Sequence, residues 1–172
     1  MSRNRQIFLM VVIALAFVFQ LSVLPQFKLL GVQPDLILVV AIVVAVQDGP
    51  IAGAVVGFAG GMLQDIASPQ VMGVSALTKT LAAFLAGVMK DVFMTYSILL
   101  PVLLVFFFTF FELLLNQGVL VVLGQEELIP VKAGLLFAAA LYNVLAVLVI
   151  YPLLRRFRFP EKEEPLLLTR KA

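Results

Sequence analysis

Two ionisable residues, Lys79 and Glu112, lie well inside long apolar stretches of the chain. If such stretches cross a membrane, each charged side chain costs about 2.5 to 3.5 kcal/mol on insertion scales and must face protein or water. We expect the two side chains to pair and to fix how two helices dock. The alternative interpretation is a proton or ligand site, because intramembrane ionisable residues commonly carry such functions.

Two carboxylates lie at polar breaks between apolar stretches. Asp35 follows Pro34 and precedes an apolar run, which is a helix-start signal with the carboxylate at the positive end of the helix dipole. Asp65 follows its apolar run, where the dipole disfavours it, so we expect it to accept hydrogen bonds from a neighbouring loop or from the start of the next helix. The alternative is a metal or substrate site formed by both carboxylates.

The composition indicates that lipid surrounds most of the chain. Of the 172 residues, 63% are hydrophobic and only 13% are charged. Cysteine and histidine are absent, which removes the thiol nucleophile, the usual general base and the commonest metal ligand. We therefore expect no enzymatic activity and no cofactor, with a carboxylate-only site as the formal alternative. Most basic residues flank apolar runs, so the net charge of +2 does not indicate nucleic-acid binding.

Six apolar runs predict an all-α integral membrane protein, a six-helix transmembrane bundle. A hydrocarbon core of about 30 Å needs roughly 20 apolar residues per helix. The second and third runs are shorter and meet at Asp48-Gly49-Pro50, a turn signal, so five spans are the alternative if this hairpin does not cross. We assign residues 1–159 to a single transmembrane domain. The runs cover residues 7–24, 36–46, 51–63, 74–89, 97–123 and 133–154.

Basic residues predict the orientation, because they are enriched on the cytoplasmic side of membrane spans. With six spans, both termini lie in the cytoplasm, and Lys79 and Glu112 fall in the outer half of the membrane. We expect residues 160–172 to form a short flexible cytoplasmic tail. The basic residues on the cytoplasmic side are Arg3, Arg5, Lys90, Arg155, Arg156 and Arg158, which leaves Lys28 and Lys132 in outer loops.

The third run carries four glycines, of which Gly53 and Gly57 have the small-xxx-small spacing that lets helix backbones approach closely. We expect Gly53, Gly57 and Gly60 or Gly61 to lie on or near one face of the helix. That face packs inside the bundle in the favoured interpretation and against a partner's helix in the alternative. In the last run, we expect Asn143 to form an interhelical hydrogen bond.

The order of these features resembles the MreD family, the rod shape-determining membrane proteins of bacteria. The resemblance covers nearly the whole chain. It implies a multi-pass protein of the bacterial cytoplasmic membrane without catalytic activity, with a fold similar to the substrate-binding subunits of energy-coupling-factor transporters. The matching features are a basic start with one span, Pro34-Asp35 before an apolar run, Gly53-x-x-x-Gly57 leading to Gln64-Asp65, and Met72-Gly73-Val74-Ser75-Ala76-Leu77 opening the next span.

The resemblance implies two functions from different classes. The first is a membrane scaffold of the cell-elongation machinery, in direct contact with the bitopic protein MreC and associated with RodA, a class B penicillin-binding protein and the MreB filament. For this function we expect structural and interaction roles for Pro34, Asp35, Gly53, Gly57, Asp65 and Gly73. The alternative is a small-molecule-binding subunit of an energy-coupling-factor-type vitamin transporter, with a pocket among Asp35, Asp65, Lys79 and Glu112.

Overall fold

The computed structural model describes residues 3–28, 31–68, 71–90, 98–124 and 133–157. These residues form an all-helical bundle, which confirms the predicted all-α class and the six helices. The predicted tail, 160–172, lies outside the described residues, as do Lys132 and Arg158. The helices are α1 (Arg3–Ser22), α2 (Leu36–Asp48), α3 (Pro50–Ala67), α4 (Val74–Lys90), α5 (Leu99–Val122) and α6 (Ala133–Arg156), with a short 3-10 helix at Leu24–Phe27.

Four of the six described helices, α1, α3, α5 and α6, are long and apolar enough to cross a membrane. The 13-residue α2 is shorter and rises about 20 Å. Its residues 37–45 are all buried, because α2 contacts each of the other five helices. A helix enclosed by protein does not have to match the thickness of the lipid, which explains why α2 is shorter than a typical membrane span.

The other five helices surround α2 in the order α1, α3, α4, α5, α6. Consecutive members of this series pack against each other, whereas the backbones of α1 and α6 make no close approach in the described ranges. Arg5 of α1 contacts both Asp48 at the end of α2 and Phe157 after α6. We call this the Arg5 end of the bundle, and the opposite end, which carries Asp35 and Asp65, the Asp35 end.

Gly53 and Gly60 face α2. A β-carbon on Gly53 would overlap the side chain of Ala45, and one on Gly60 would lie 2.5 Å from a methyl group of Ile37. The turn between α2 and α3 is equally tight, since Gly49 adopts a φ of 100°, a left-handed conformation that favours glycine. The α2–α3 hairpin predicted from Asp48-Gly49-Pro50 is therefore confirmed as a closely packed pair.

Gly57 and Gly61 face α4 instead. A β-carbon on Gly57 would lie 2.7 Å from the carbonyl oxygen of Lys79, and one on Gly61 would lie 2.6 Å from the Cα atom of Ala76. The prediction of one glycine face was wrong, because the four glycines divide between two adjacent faces of α3. The favoured interpretation of internal packing is confirmed, since both faces meet helices of the same bundle.

Candidate functional site

Lys79 lies between two carboxylates inside the bundle. Its Nζ atom is 3.0 Å from Oε1 of Glu112 and 2.6 Å from Oδ2 of Asp35, and its side chain is 2% exposed. The predicted pairing of Lys79 with Glu112 is confirmed. We did not predict that Asp35 is an ion-pair partner of Lys79, so that one ammonium group joins α2, α4 and α5.

Asp35 reaches this position because it begins α2. Its Oδ1 atom accepts a hydrogen bond from the backbone N–H of Leu38 at 3.0 Å, which is an N-cap and confirms the helix-start signal of Pro34-Asp35. Its other carboxylate oxygen is then left for Lys79. The backbone N–H of Asp35 donates to Oδ1 of Asn143 at 2.7 Å, which ties the start of α2 to α6.

Hydroxyl and amide groups complete the cluster. Thr78 donates from Oγ1 to the same Glu112 oxygen that Lys79 contacts, at 3.1 Å. Asn143 donates from Nδ2 to Oγ1 of Thr109 at 3.0 Å, and Thr109 in turn donates to the carbonyl of Val105. The predicted interhelical hydrogen bond of Asn143 is therefore confirmed, and polar contacts connect α2, α4, α5 and α6 at one level.

Next to the cluster lies a cavity of about 170 Å³ at the Asp35 end. Its polar wall comes from α1, α3, α5, α6 and the segment before α2. The polar side chains that line it are those of Gln20, Gln33, Asp35, Gln64, Thr109, Glu112 and Asn143. Apolar side chains complete the wall, and the cavity is bordered by two of the three ionisable groups of the cluster.

Asp65 does not join this cluster. Its carboxylate accepts hydrogen bonds from the backbone N–H groups of Gly73, Ser75 and Ala76 at 2.9 to 3.1 Å. These groups begin α4, so the expectation that Asp65 binds the start of the next helix is confirmed. Gly73 adopts a φ of 96°, which lets the turn fold back onto the carboxylate. Asp35 and Asp65 therefore serve different helices and do not share a site.

A second polar cluster, which we did not predict, lies at the Arg5 end. Arg5 donates through Nε and one terminal nitrogen to Oδ2 of Asp48, at 3.0 and 2.7 Å. It also donates to Oε1 of Gln47 and to the carbonyl of Phe157. From the sequence we used Arg5 only to predict the orientation in the membrane. The predicted topology places Arg5 and Asp48 at the same end of the bundle, and this could have indicated the ion pair.

The chemistry of both clusters is that of ion pairing and hydrogen bonding. In the described part of the chain, no three Asp or Glu side chains converge in a way that would hold a metal ion. The polar groups connect helices to one another, and each cluster joins at least three segments that are distant in sequence. The arrangement therefore fixes the relative positions of the helices.

Comparison with known proteins places the chain in a family. No curated protein and no solved structure matches it, so the expected similarity to energy-coupling-factor transporter subunits stays a prediction. A family model described as rod shape-determining protein MreD matches residues 1–158, which is nearly the whole chain. With six described helices, four of them long and apolar enough to cross a membrane, the chain is a multi-pass membrane protein of the MreD family and has a role in rod shape determination.

Proposed function

We propose that this protein is a non-catalytic scaffold of the bacterial cell-elongation complex that binds MreC directly and assembles with RodA and a class B penicillin-binding protein near the MreB filament. Membership of the MreD family supports the general role in cell shape. The ion pairs of Lys79, Glu112 and Arg5 connect helices of the same bundle, which supports a structural function. A scaffold then acts through its outward surface.

One observation favours a particular surface. Of the four helices long enough to span a membrane, α1 and α6 are the least covered, with 22% of their apolar windows buried against 39% for α3 and α5. These two helices are neighbours whose backbones make no close approach to each other in the described ranges. A partner helix seated along them would contact the two least covered of these four helices.

We define the α1–α6 surface by its outward apolar side chains, which include Leu15 and Val18 of α1 and Leu145 and Val149 of α6. The surface is tied at both ends. Arg5 donates to the carbonyl of Phe157 at one end, and the hydroxyl of Tyr142 donates to the carbonyl of Phe27 at the other. A fixed spacing between two helices reduces the entropy lost on binding, which supports this surface as the contact for the single helix of MreC.

Affinity purification tests the scaffold directly. The tagged protein is extracted from native membranes in mild detergent, and the bound proteins and small molecules are identified by mass spectrometry. We expect MreC and the peptidoglycan synthases to be recovered, with no small molecule of vitamin size. Recovery of an ATPase module with such a molecule, and without MreC, would contradict the scaffold and favour the transporter subunit.

We further propose that both termini lie in the cytoplasm. The Arg5 end carries the exposed Arg3, Arg155 and Arg156, and basic residues favour the cytoplasmic side. The chain has no native cysteine, so a single introduced cysteine reports on which side of the membrane its position lies. On spheroplasts, a membrane-impermeant maleimide should label Lys28→Cys but not Asn4→Cys until the membrane is permeabilised. Labelling of Asn4→Cys on intact spheroplasts, with Lys28→Cys protected, would contradict this orientation and indicate the opposite one.

A further inference from the structure

The neighbouring helices α3 and α4, on the outside of the bundle, are shorter than α5 and α6. They have 18 and 17 residues, whereas α5 and α6 have 24 residues each. At 1.5 Å per residue, α3 and α4 rise about 26 Å and α5 and α6 about 36 Å. The hydrocarbon core of a typical bilayer is about 30 Å thick, so the first pair falls short of it and the second pair exceeds it.

The outward surface of α3 and α4 is apolar over a shorter distance still. On α3 the exposed large apolar side chains begin at Ile51 and end at Ile66, which are about 22 Å apart along the helix. On α4 the apolar run ends at Lys90, which Asp91 follows. We define the α3–α4 face by its exposed apolar side chains, which are Ile51, Val55, Phe58 and Ile66 of α3 and Leu77, Leu81, Phe84 and Val88 of α4.

The polar groups at the two ends of α2 lie a similar distance apart. Asp35 caps the start of α2 and Asp48 is its last residue, so about 20 Å of helix separates them. Both side chains are partly exposed, at 20% and 12%. Ionisable groups are costly in contact with lipid tails. The lengths of α2, α3 and α4 therefore agree on an apolar thickness of about 20 to 25 Å for this part of the bundle.

The α3–α4 pair is fastened at both ends and in the middle. At the Asp35 end, the carboxylate of Asp65 accepts hydrogen bonds from three backbone N–H groups at the start of α4. At the Arg5 end, a β-carbon on Gly87 would lie 2.5 Å from the Cα atom of Pro50, and Gly57 packs on the backbone of Lys79 between them. A helix that is too long for a bilayer can tilt, whereas one that is too short cannot lengthen. The lipid must therefore adjust on this side.

We propose that the α3–α4 face fits a lipid bilayer with a hydrocarbon core of about 20 to 25 Å, and that a bilayer of ordinary thickness becomes thinner beside it. The longer α5 and α6 tilt to fit the same bilayer, so the deformation is confined to one side of the bundle. This interaction with lipid is additional to the proposed scaffold and does not depend on which surface MreC contacts.

Spin labels at the ends of the face test the thinning. The chain has no native cysteine, so a nitroxide is attached to a single cysteine at Ile51 or Ile66 of the full chain. The protein is reconstituted in phosphatidylcholine bilayers of increasing acyl-chain length, with cores from about 22 to about 33 Å thick. Label depth is measured from the relative accessibility to oxygen and to a water-soluble nickel complex. We expect both labels to stay near the hydrocarbon boundary and to move by less than about 2 Å over the series.

Two results would overturn the proposal. In a bilayer that keeps its bulk thickness beside the face, both labels would become deeper by about 5 Å in the longest lipids. A deep label at one end with a water-exposed label at the other would show that the α3–α4 pair crosses the membrane incompletely.

A label at Leu114 of α5 is the matched control, since Leu114 and Phe58 at the middle of the face are similarly exposed, at 57% and 54%. Because α5 continues to Val122, the Leu114 label should become deeper as the lipids lengthen. A Leu114 label that keeps a constant depth would contradict a deformation confined to the α3–α4 side.

Thermal unfolding of the unlabelled protein in the same bilayers gives an independent measurement. Hydrophobic mismatch has an energetic cost, so the unfolding midpoint followed by circular dichroism should be highest in the thinner bilayers and fall as the lipids lengthen. A midpoint that is highest in the thickest bilayers, or that is equal in all of them, would overturn the proposal even if a labelled variant does not fold.

Discussion

A β-carbon on Gly57 would lie 2.7 Å from the carbonyl oxygen of Lys79. Real β-carbons essentially never approach another atom so closely, so the absence of a side chain at Gly57 sets how near α3 can come to α4. The same residue of α4 extends its ammonium group to Asp35 and Glu112. The glycine and the ion cluster are therefore parts of one arrangement, because the close approach of α3 fixes the backbone from which Lys79 reaches its partners.

Gly57→Ala should destabilise the bundle by about 1 to 3 kcal/mol, because overpacking of a close helix contact forces backbone shifts. Gly118→Ala in α5 is the matched control, since a β-carbon there meets nothing within 4 Å and replacing a helical glycine by alanine gains about 0.5 to 1 kcal/mol. Circular dichroism is the suitable measurement, because the chain contains no tryptophan. Equal unfolding midpoints for the two variants would contradict the packing described for α3 and α4.

Lys79→Met should cost more stability than Glu112→Gln. The first change leaves the buried carboxylate of Glu112 and the partly buried carboxylate of Asp35 without their shared cation, and removing one partner of a buried pair costs about 3 to 5 kcal/mol. The second leaves Lys79 paired with Asp35, so a neutral pair remains. The thermal unfolding midpoints of the two variants at pH 7 show which change costs more stability. If Glu112→Gln were the more damaging change, Asp35 would not be an effective partner of Lys79.

Arg5 and Asp48 should show strong coupling in a double-mutant cycle. Because the guanidinium donates twice to the same carboxylate oxygen, and contacting residues commonly couple by about 0.5 to 3 kcal/mol, the two single changes to alanine should not be additive. Arg3→Ala paired with Asp48→Ala is the control, since Arg3 is exposed. Additive effects for Arg5 and Asp48 would indicate that the Arg5 end does not depend on this pair.

Asp65→Ala should loosen the start of α4. Three backbone N–H groups lose their acceptor, and each unsatisfied buried donor costs about 1 to 3 kcal/mol. Hydrogen–deuterium exchange with mass spectrometry should show faster exchange at Ser75 and Ala76, with Asp65→Asn intermediate because one oxygen remains. Exchange at these amides that matches the wild-type protein in both variants would exclude the cap described here.

Much of the bundle was predictable from the sequence, because apolar runs of membrane length leave few alternatives to helices. All six predicted helices are present, and their ends differ from the predicted ones by a few residues. The short α2 was ambiguous for a physical reason. Its length is explained by enclosure in protein, and enclosure depends on the order of helices around it, which no local pattern reveals.

The ion cluster was predictable only in pieces. Lys79 and Glu112 stood out because each interrupts an apolar run, and Asp35 stood out as a helix start. That the three meet depends on α2 lying beside both α4 and α5. The two glycine faces of α3 were missed for a related reason, since Gly53 and Gly60 are seven residues apart and align with each other, whereas Gly57 and Gly61 follow a neighbouring ridge.

Site-specific photo-crosslinking in living cells tests the central claim most directly. A benzophenone amino acid is placed at Leu15 of α1, at Leu145 of α6 and, as a control of similar exposure, at Leu114 of α5. The proposed α1–α6 surface predicts cross-links to MreC from the first two positions and none from the third. Cross-linking of MreC from Leu114 alone, or from none of the three in cells that contain both proteins, would contradict it.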